Sequence, residues 1–379
     1  MPDNALFLFG VLSHLPLLKL VSGCDLAVQG ADLGGQTLVH AVSKDGQRQD
    51  FPVLVPCTGA AVHGILVRPN SLARERLAAY EQVLGCDAVT MTVSTDNGSV
   101  DATVYLPPAD LWHGGEAWDL GRWVTDQGAL SCEVAGEVMA LLEVTSPEAV
   151  RERLYMLQIR AASRRRAVAE PAPATLRRSM DATDVQVAAL RRPYTFFFGV
   201  EEADVQFRRF DGSYSPTVTR AGFIMGDAVT VLPYDPVRDA VMLVEQFRYG
   251  PYARGDRNPW SLEPIAGRID PLETPEAAAR RESVEEARLS MGAMHVAGRY
   301  YVSPGAVTEY LVSYIGIADL PDTAEGVNGL EIEAEDIRAH VISFDRLMAM
   351  VDSGEAENGP LLISAQWLAL NRARLRTSA

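Results

Sequence analysis

The sequence predicts an α+β protein of two domains. Three observations carry this: strand-like apolar runs in both halves, an Ala/Pro-rich break between them, and one acidic helix with clear start signals in the second half. At 379 residues the chain is long enough for two domains that each bury a core. Its 47% apolar and 22% charged residues describe an ordinary globular composition. The expected boundaries are a first domain over 1–145, a helix and linker over 146–183, and a second domain over 184–379.

Up to about Leu142 the runs LFLFGVL, FPVLVPC, VHGILV, AVTMTVS and DATVYLP alternate with Gly, Pro and Asp turns and read as strands. Helices are expected at 15–21 and 71–83. Ser146-Pro147-Glu148 is a helix start, with a capping hydroxyl and Pro at the first position. That helix is expected to run through Arg151, Leu154, Leu157 and Arg160 to Arg164, Arg165 and Arg166. Basic residues in a last turn suit the helix dipole, so the cluster reads as a helix end, not as a nucleic-acid patch. Ala167 to Thr175, AVAEPAPAT, reads as a linker.

The second half begins with the strand-like PYTFFFGV, ADVQFRRF and SPTVTRAGF. AVTVLPY and AVMLVEQF follow, joined by a hairpin turn over Asp235-Pro236-Val237-Arg238-Asp239. Further strands are expected over 312–317 and 337–344, and an amphipathic helix over 361–375.

A formal charge of −16 with no offsetting basic patch argues against a nucleic-acid partner. No run of about twenty apolar residues predicts a membrane span. The apolar segment from Ala5 to Val21 lacks a basic start and is broken by Ser13, His14, Pro16 and Lys19, unlike a secretory signal. Cys24, Cys57, Cys86 and Cys132 form no CxxC pair and read as reduced thiols, so a cytoplasmic protein is expected.

The segment Gly267 to Leu289, GRIDPLETPEAAARRESVEEARL, carries the densest chemical signal. Gly267, Glu273, Arg281, Glu282, Glu285 and Glu286 stand at the spacing Gly-x5-Glu-x7-Arg-Glu-x-x-Glu-Glu. At about one in fifteen per position, chance would give this in on the order of one chain in 10⁴ to 10⁵. Thr274-Pro275-Glu276 starts a helix, and Ala277, Ala278 and Ala279 favour it. Glu282, Glu285 and Glu286 then share one face, where like charges destabilise a bare helix. A hard dication, Mg²⁺ or Mn²⁺, reverses that sign. Three glutamates alone would read as a solvated acidic face; the glycine-to-glutamate spacing argues for a site. Arg281 is expected on a different face, held by Glu273.

This stretch resembles the Nudix box, the loop-helix-loop signature of hydrolases acting on nucleoside diphosphates linked to another group. Two positions depart from it: Ser283 stands where an aliphatic residue is usual, and Arg288 where glycine is usual. Altered packing and helix ending are expected from them, without loss of chemistry. LPYDPVRDAVMLVEQFRYGPY, NPWSLEPIAGRID and GLEIEAEDIRAHVISFD are similar to the ADP-ribose pyrophosphatase branch, with coverage from about Pro193 to Leu375. The resemblance implies an α/β/α sandwich and Mg²⁺-dependent hydrolysis of ADP-ribose to AMP and ribose 5-phosphate. It implies metal ligands at the Ala266 carbonyl, Glu282, Glu286 and Glu335, and a general base at Glu333. Glu285 and Arg281 join the catalytic set, while Arg248, Gly267 and Glu309 are implied on the substrate side. Glu331, Glu333, Glu335 and Asp336 form an acidic cluster on the later loop. Ser303-Pro304-Gly305 resembles the family's turn near the site. The branch also implies a homodimer exchanging strands between Tyr194 and Gly222. Another nucleoside diphosphate sugar is the alternative substrate.

In the first half, Phe7-Leu8-Phe9-Gly10-Val11-Leu12, VHGILV and LAAYEQV resemble the gamma-glutamylcyclotransferase-like (AIG2-like) family over about residues 5–140, a mixed β domain. Phe9 replaces that family's tyrosine and Val11 its hydroxyl residue, while Glu81 matches its acid/base glutamate. The resemblance leaves open a metabolite-sensing module or a bifunctional enzyme. The two-domain combination is similar to tellurite-resistance-associated Nudix proteins of bacteria.

Overall fold

The computed structural model describes residues 5–44, 46, 48–108, 110–320, 326–328 and 336–377. The chain divides into two compact units, Met1–Ala161 and Ala162–Ala379.

In the first unit β1 (Leu6–Leu8) leads through a short 3₁₀ turn to α1 (Leu15–Ser22). Two long strands follow, β2 (Val28–Val42) and β3 (Arg48–Val67). Next come α2 (Ser71–Val83), β4 (Asp87–Thr95), β5 (Gly98–Leu106) and β6 (His113–Ala117). The strand order is β3-β1-β5-β4-β2-β6, and a β2–β3 pairing closes the first five into a ring. Phe7, Ala31, Leu33, Val62, Leu66, Val93, Ala102 and Val104 form its core. α3 (Leu120–Trp123), a wide π turn, α4 (Ala129–Leu142) and α5 (Pro147–Arg151) follow.

Four sequence expectations change here. FPVLVPC and VHGILV are two ends of one strand, β3. The Gly-rich stretch before it forms β2, whose register against β3 runs from Val28↔Val67 to Val42↔Arg48. The segment before Leu142 is helical: α4 buries Leu130, Val134, Ala135, Val138 and Met139, which recur at helical spacing. Ser146 does cap a helix, accepting from Ala149 N at 3.3 Å, but α5 ends at Arg151 and α6 (Leu154–Ala169) starts afresh.

The second unit opens with the antiparallel sheet β7 (Val185–Thr195), β8 (Gly199–Phe207) and β9 (Val218–Ile224). PYTFFFGV is therefore a strand end, a turn over Phe196–Phe198 and a strand start, not one strand. The main sheet contains β10 (Ala228–Asp235), β11 (Ala240–Phe247), β12 (Trp260–Glu263), β13 (Ile265–Arg268), β14 (Met294–Tyr301), β15 (Tyr310–Ile317), β16 (Gly326–Asn328) and β17 (Ile337–Ser343). Its order is β14-β15-β10-β11-β17-β16, with β12 on β11 and β13 on β10. Helices α7 (Tyr249–Arg254), α8 (Pro275–Ala287), α9 (Phe344–Ser353) and α10 (Gly359–Thr377) complete it. The sequence did not indicate β12, β13, β14, α7 or α9.

Side-chain alternation on the central strands places helices on both sheet faces. Val229, Val231, Met242, Val244, Val312 and Tyr314 pack with Ala278, Ala279 and Ala287 of α8. Leu232, Tyr234, Val241, Leu243 and Ile315 pack with Phe344 and Leu347 of α9 and Leu361, Ala365 and Leu368 of α10. The result is an α/β/α sandwich. At its margin Asp227 accepts from Ser163 Oγ at 2.5 Å and Arg166 Nε at 2.8 Å. Arg166, expected to end a helix, thus also forms a largely buried ion pair.

Candidate active site

The site is built where β13 meets α8. Thr274 accepts from Ala277 N at 3.2 Å, and Pro275 follows at the first helical position, so α8 starts where its sequence requires. β13 pairs antiparallel with β10, Thr230 opposite Ala266 and Val229 opposite Gly267, which fixes the backbone that α8 faces. Ala266 N–H donates to Glu286 Oε2 at 3.2 Å, and Glu286 is only 3% exposed. A Cβ at Gly267 would lie 1.9 Å from both Cδ and Oε1 of Glu282. The absent side chain at 267 is therefore the space that the Glu282 carboxylate occupies. Any side chain at 267 would push the Glu282 carboxylate out of this seat.

Arg281 departs from its expected position. Its Nε and Nη2 hold Glu273 at 3.2 and 3.0 Å, as the sequence suggested, and Nη2 also donates to the Arg268 carbonyl at 3.0 Å. Its Nη1, however, reaches Glu282 at 2.7 Å and Glu285 at 2.9 Å. The guanidinium is shared between the loop brace and the carboxylate face, because a long side chain at i bridges to i+4 on a helix.

Ser283 is fully buried and donates to the Ala279 carbonyl at 2.7 Å, so its hydroxyl is satisfied where an aliphatic residue is usual. Arg288 caps α8 at φ 54°, the left-handed conformation that glycine adopts without strain.

Arg248 follows β11 and is clamped by Glu263: Nε lies 3.1 Å from Oε1, and Nη2 2.7 Å from Oε2. Glu263 is 5% exposed and was not singled out in the sequence. Its role depends on the β11–β12 register, Val244 opposite Glu263 and Phe247 opposite Trp260, which no local motif reveals. Glu309 follows the 303–305 turn, which is tied to β9 through Phe223 N–H to the Ala306 carbonyl at 2.7 Å. Burial pushes the Glu309 carboxyl up; Arg268 and Arg248 oppose that shift, and Asp227 adds to it. Arg268 also stacks over the Phe197 ring, 4.7 Å from its centroid, a second arginine that the sequence reading passed over.

The structure thus brings together Ala266, Gly267, Arg281, Glu282, Glu285 and Glu286, and sets Arg248 and Glu309 in one electrostatic neighbourhood with Arg268. Glu333 and Glu335 lie outside the described residues. Glu81 belongs to the other unit, in a separate cleft.

The donor set fits a hard dication. Oxygen ligands dominate, Glu282 and Glu286 lie one helical turn apart, and the Gly267 gap draws one of them against the strand. Among the described residues no three His, Cys, Asp or Glu side chains close on a single point, and Arg281 pairs with one oxygen each of Glu282 and Glu285.

Comparison with known proteins agrees with this geometry. Residues 225–363 match the NUDIX domain family, whose hydrolases use a divalent metal, and residues 6–125 match the family "Gamma-glutamyl cyclotransferase, AIG2-like". An ADP-ribose pyrophosphatase of Escherichia coli is 38% identical over 193 residues, 51% of this chain and 91% of that protein. The ADP-ribose pyrophosphatase of Haemophilus influenzae is 36% identical over 197 residues, 52% of this chain and 90% of that protein. A GDP-mannose pyrophosphatase of an Enterobacter species is 32% identical over 146 residues, 38% of this chain and 75% of that protein. The chain therefore belongs to the NUDIX hydrolases, with an AIG2-like domain preceding the hydrolase domain.

Proposed function

We propose that the second unit hydrolyses the pyrophosphate bond of ADP-ribose with Mg²⁺, giving AMP and ribose 5-phosphate. The observation that carries this reading is the seating of Glu282 in the Gly267 gap beside the Ala266–Glu286 hydrogen bond. The names of the relatives supply the substrate class: three pyrophosphatases, two of them for ADP-ribose.

Glu282, Glu286, the Ala266 carbonyl and Glu335 would hold the ion. When bound, Mg²⁺ offsets phosphate charge and lowers the pKa of a bound water below its bulk value of about 15.7. Glu333 is assigned the water's remaining proton. Water adds to one phosphorus, the P–O–P bond breaks, and the departing phosphate carries the displaced electron pair. Arg248, oriented by Glu263, would pair with the pyrophosphate oxygens; a guanidinium held at one edge is pre-set for a second anion. Arg281 keeps Glu285 and Glu282 from repelling one another before the ion binds. Glu309, whose carboxyl burial raises against the opposing charges of Arg268 and Arg248, would contact the substrate.

A homodimer is part of this reading. The β7–β9 sheet exposes apolar residues on both faces, Val187, Leu190 and Phe207 on one and Tyr194 and Phe223 on the other, which a second copy would cover.

The test is product release from ADP-ribose and GDP-mannose, with Mg²⁺ and with chelator. The reading expects AMP from ADP-ribose, at least about tenfold higher kcat/KM than for GDP-mannose, and loss on chelation. Preference for GDP-mannose would keep the chemistry and change the substrate. No turnover of either overturns the proposal.

A further inference from the structure

Near Glu309 the main sheet carries polar groups that the hydrolysis leaves without a part. A Cβ at Gly267 would point at Glu282, and alternation along β13 sends the next residue, Arg268, to the opposite face. Strand register sets what shares that face. Arg268 lies opposite Ala228, Ala228 is paired with Leu311, and Leu311 lies opposite Tyr300. Arg268 and Tyr300 therefore stand at the two ends of one row, three strand spacings or roughly 14 Å apart along the sheet. Between them lie Leu311 and the small Ala228, and Glu309 precedes Leu311 by two residues. Its charge acts on Tyr300, and the charge of Arg268 acts on Glu309.

Each of the three groups keeps unused hydrogen-bonding capacity. Arg268 rests over the Phe197 ring, and among the described residues no carboxylate comes within ion-pair distance of its guanidinium. Its backbone is held separately, the carbonyl accepting from Arg281 at 3.0 Å. Among the described residues none donates to the Glu309 carboxyl.

The Tyr300 proton is directed by what is buried behind it. Thr230 Oγ1 lies 2.7 Å from Ser313 Oγ, which lies 3.0 Å from the Tyr300 hydroxyl. Thr230 is 3% exposed and Ser313 0%, and each hydroxyl has one proton to give. If Thr230 donates to Ser313 and Ser313 to Tyr300, both buried protons are used and Tyr300 keeps its own at the half-buried end. The reverse order strands the Thr230 proton inside the sheet with no acceptor among the described residues, which is unfavourable. Burial and the Glu309 charge push Tyr300 up against the Ser313 hydrogen bond, so its hydroxyl stays protonated at neutral pH.

Given the hydrolysis proposed above, on which this rests, we propose that Arg268 and Tyr300 are specificity-determining residues that select a sugar with free vicinal hydroxyls beyond the second phosphate. Neighbouring sugar hydroxyls accept from the Arg268 guanidinium and from Tyr300, and one of them donates to Glu309. A hydroxyl both accepts and donates, so a polyol suits two donors set around one acceptor. A carboxylate or phosphate in its place would meet the Glu309 charge with no proton to give it.

The test compares kcat/KM for ADP-ribose with that for the β-methyl ester of ADP, which keeps adenosine and the P–O–P bond and replaces the sugar by methyl. We expect the full chain to prefer ADP-ribose at least about 100-fold. Tyr300→Phe and Arg268→Gln should each lower kcat/KM for ADP-ribose at least about tenfold and leave the methyl ester within about twofold of wild type, which also controls for folding. A wild type that turns over both substrates alike overturns the proposal. So does either variant that keeps the wild-type kcat/KM for ADP-ribose, or that loses both activities in proportion. In those outcomes the hydrolase reading stands, because the wild type still releases AMP. If the wild type releases AMP from neither substrate, both readings fall together.

Discussion

At the scale of single residues, Gly267 is the position where chemistry and packing meet. Any Cβ there displaces Glu282, since 1.9 Å is far inside van der Waals contact. Gly267→Ala should lower kcat/KM about 100-fold or more while far-ultraviolet circular dichroism stays native; near-normal turnover would show that Glu282 does not act from this seat. Glu81 makes a separate statement, about stability. Its folded pKa is raised from 4.5 to about 7 by burial, with the Cys86 hydrogen bond opposing. The charged form is therefore disfavoured in the folded state. The penalty is absent below about pH 4.5, grows as pH rises to about 7, and is constant above that. Glu81→Gln should accordingly stabilise the first unit by up to about 3 kcal/mol at pH 8 and by nothing at pH 4. Denaturant melts at the two pH values check this, and equal effects at both would refute it. The sequence revealed both residues through their resemblance to known motifs. It could not reveal Glu263, which has no motif of its own and earns its role only through strand register.

At the scale of elements, legibility followed local signals. α8 was readable because Thr274, Pro275 and three alanines all favour a helix starting there, and the structure starts it there. The β10–β11 hairpin was readable from its two apolar runs and its Asp235–Asp239 turn, where Asp235 caps the Val237 and Arg238 amides at 2.9 Å. β2 was not, because its glycines and polar residues lower strand propensity, and only pairing with β3 holds it extended. α4 has no side-chain cap and grows out of a π turn, so no start signal marked it. The end of α8 shows a local preference overridden. Arg288 takes φ 54° where glycine would be unstrained, and Arg288→Gly should raise stability by about 0.5–1 kcal/mol without changing turnover. A chemical melt measures it; destabilisation would mean that the Arg288 side chain makes a contact worth more than the strain.

At the scale of the whole molecule, the chain joins two units with separate cores. The Ala/Pro-rich break was legible as composition, but the helix before it runs on to Ala169, and Ser163 and Arg166 fasten that helix to Asp227. No helix among the described residues is long and apolar enough to cross a membrane. The apolar residues exposed on both faces of the β7–β9 sheet predict a dimer: light scattering should give twice the 41.2 kDa chain mass, and a monomer at micromolar concentration would refute the exchange of strands. Substrate class came from resemblance, since the sequence alone specifies the carboxylates but not the base and sugar contacts.

The carboxylate helix as a metal-dependent catalytic centre is tested most directly by AMP release from ADP-ribose with Mg²⁺, comparing the wild type with Glu286→Gln. The substitution keeps the Ala266 amide's acceptor and removes the charge. We predict that kcat falls by about 1000-fold or more while the melting temperature holds. A variant within about tenfold of wild type would contradict the assignment of Glu286 as a metal ligand and, with it, the placing of the reaction at this helix.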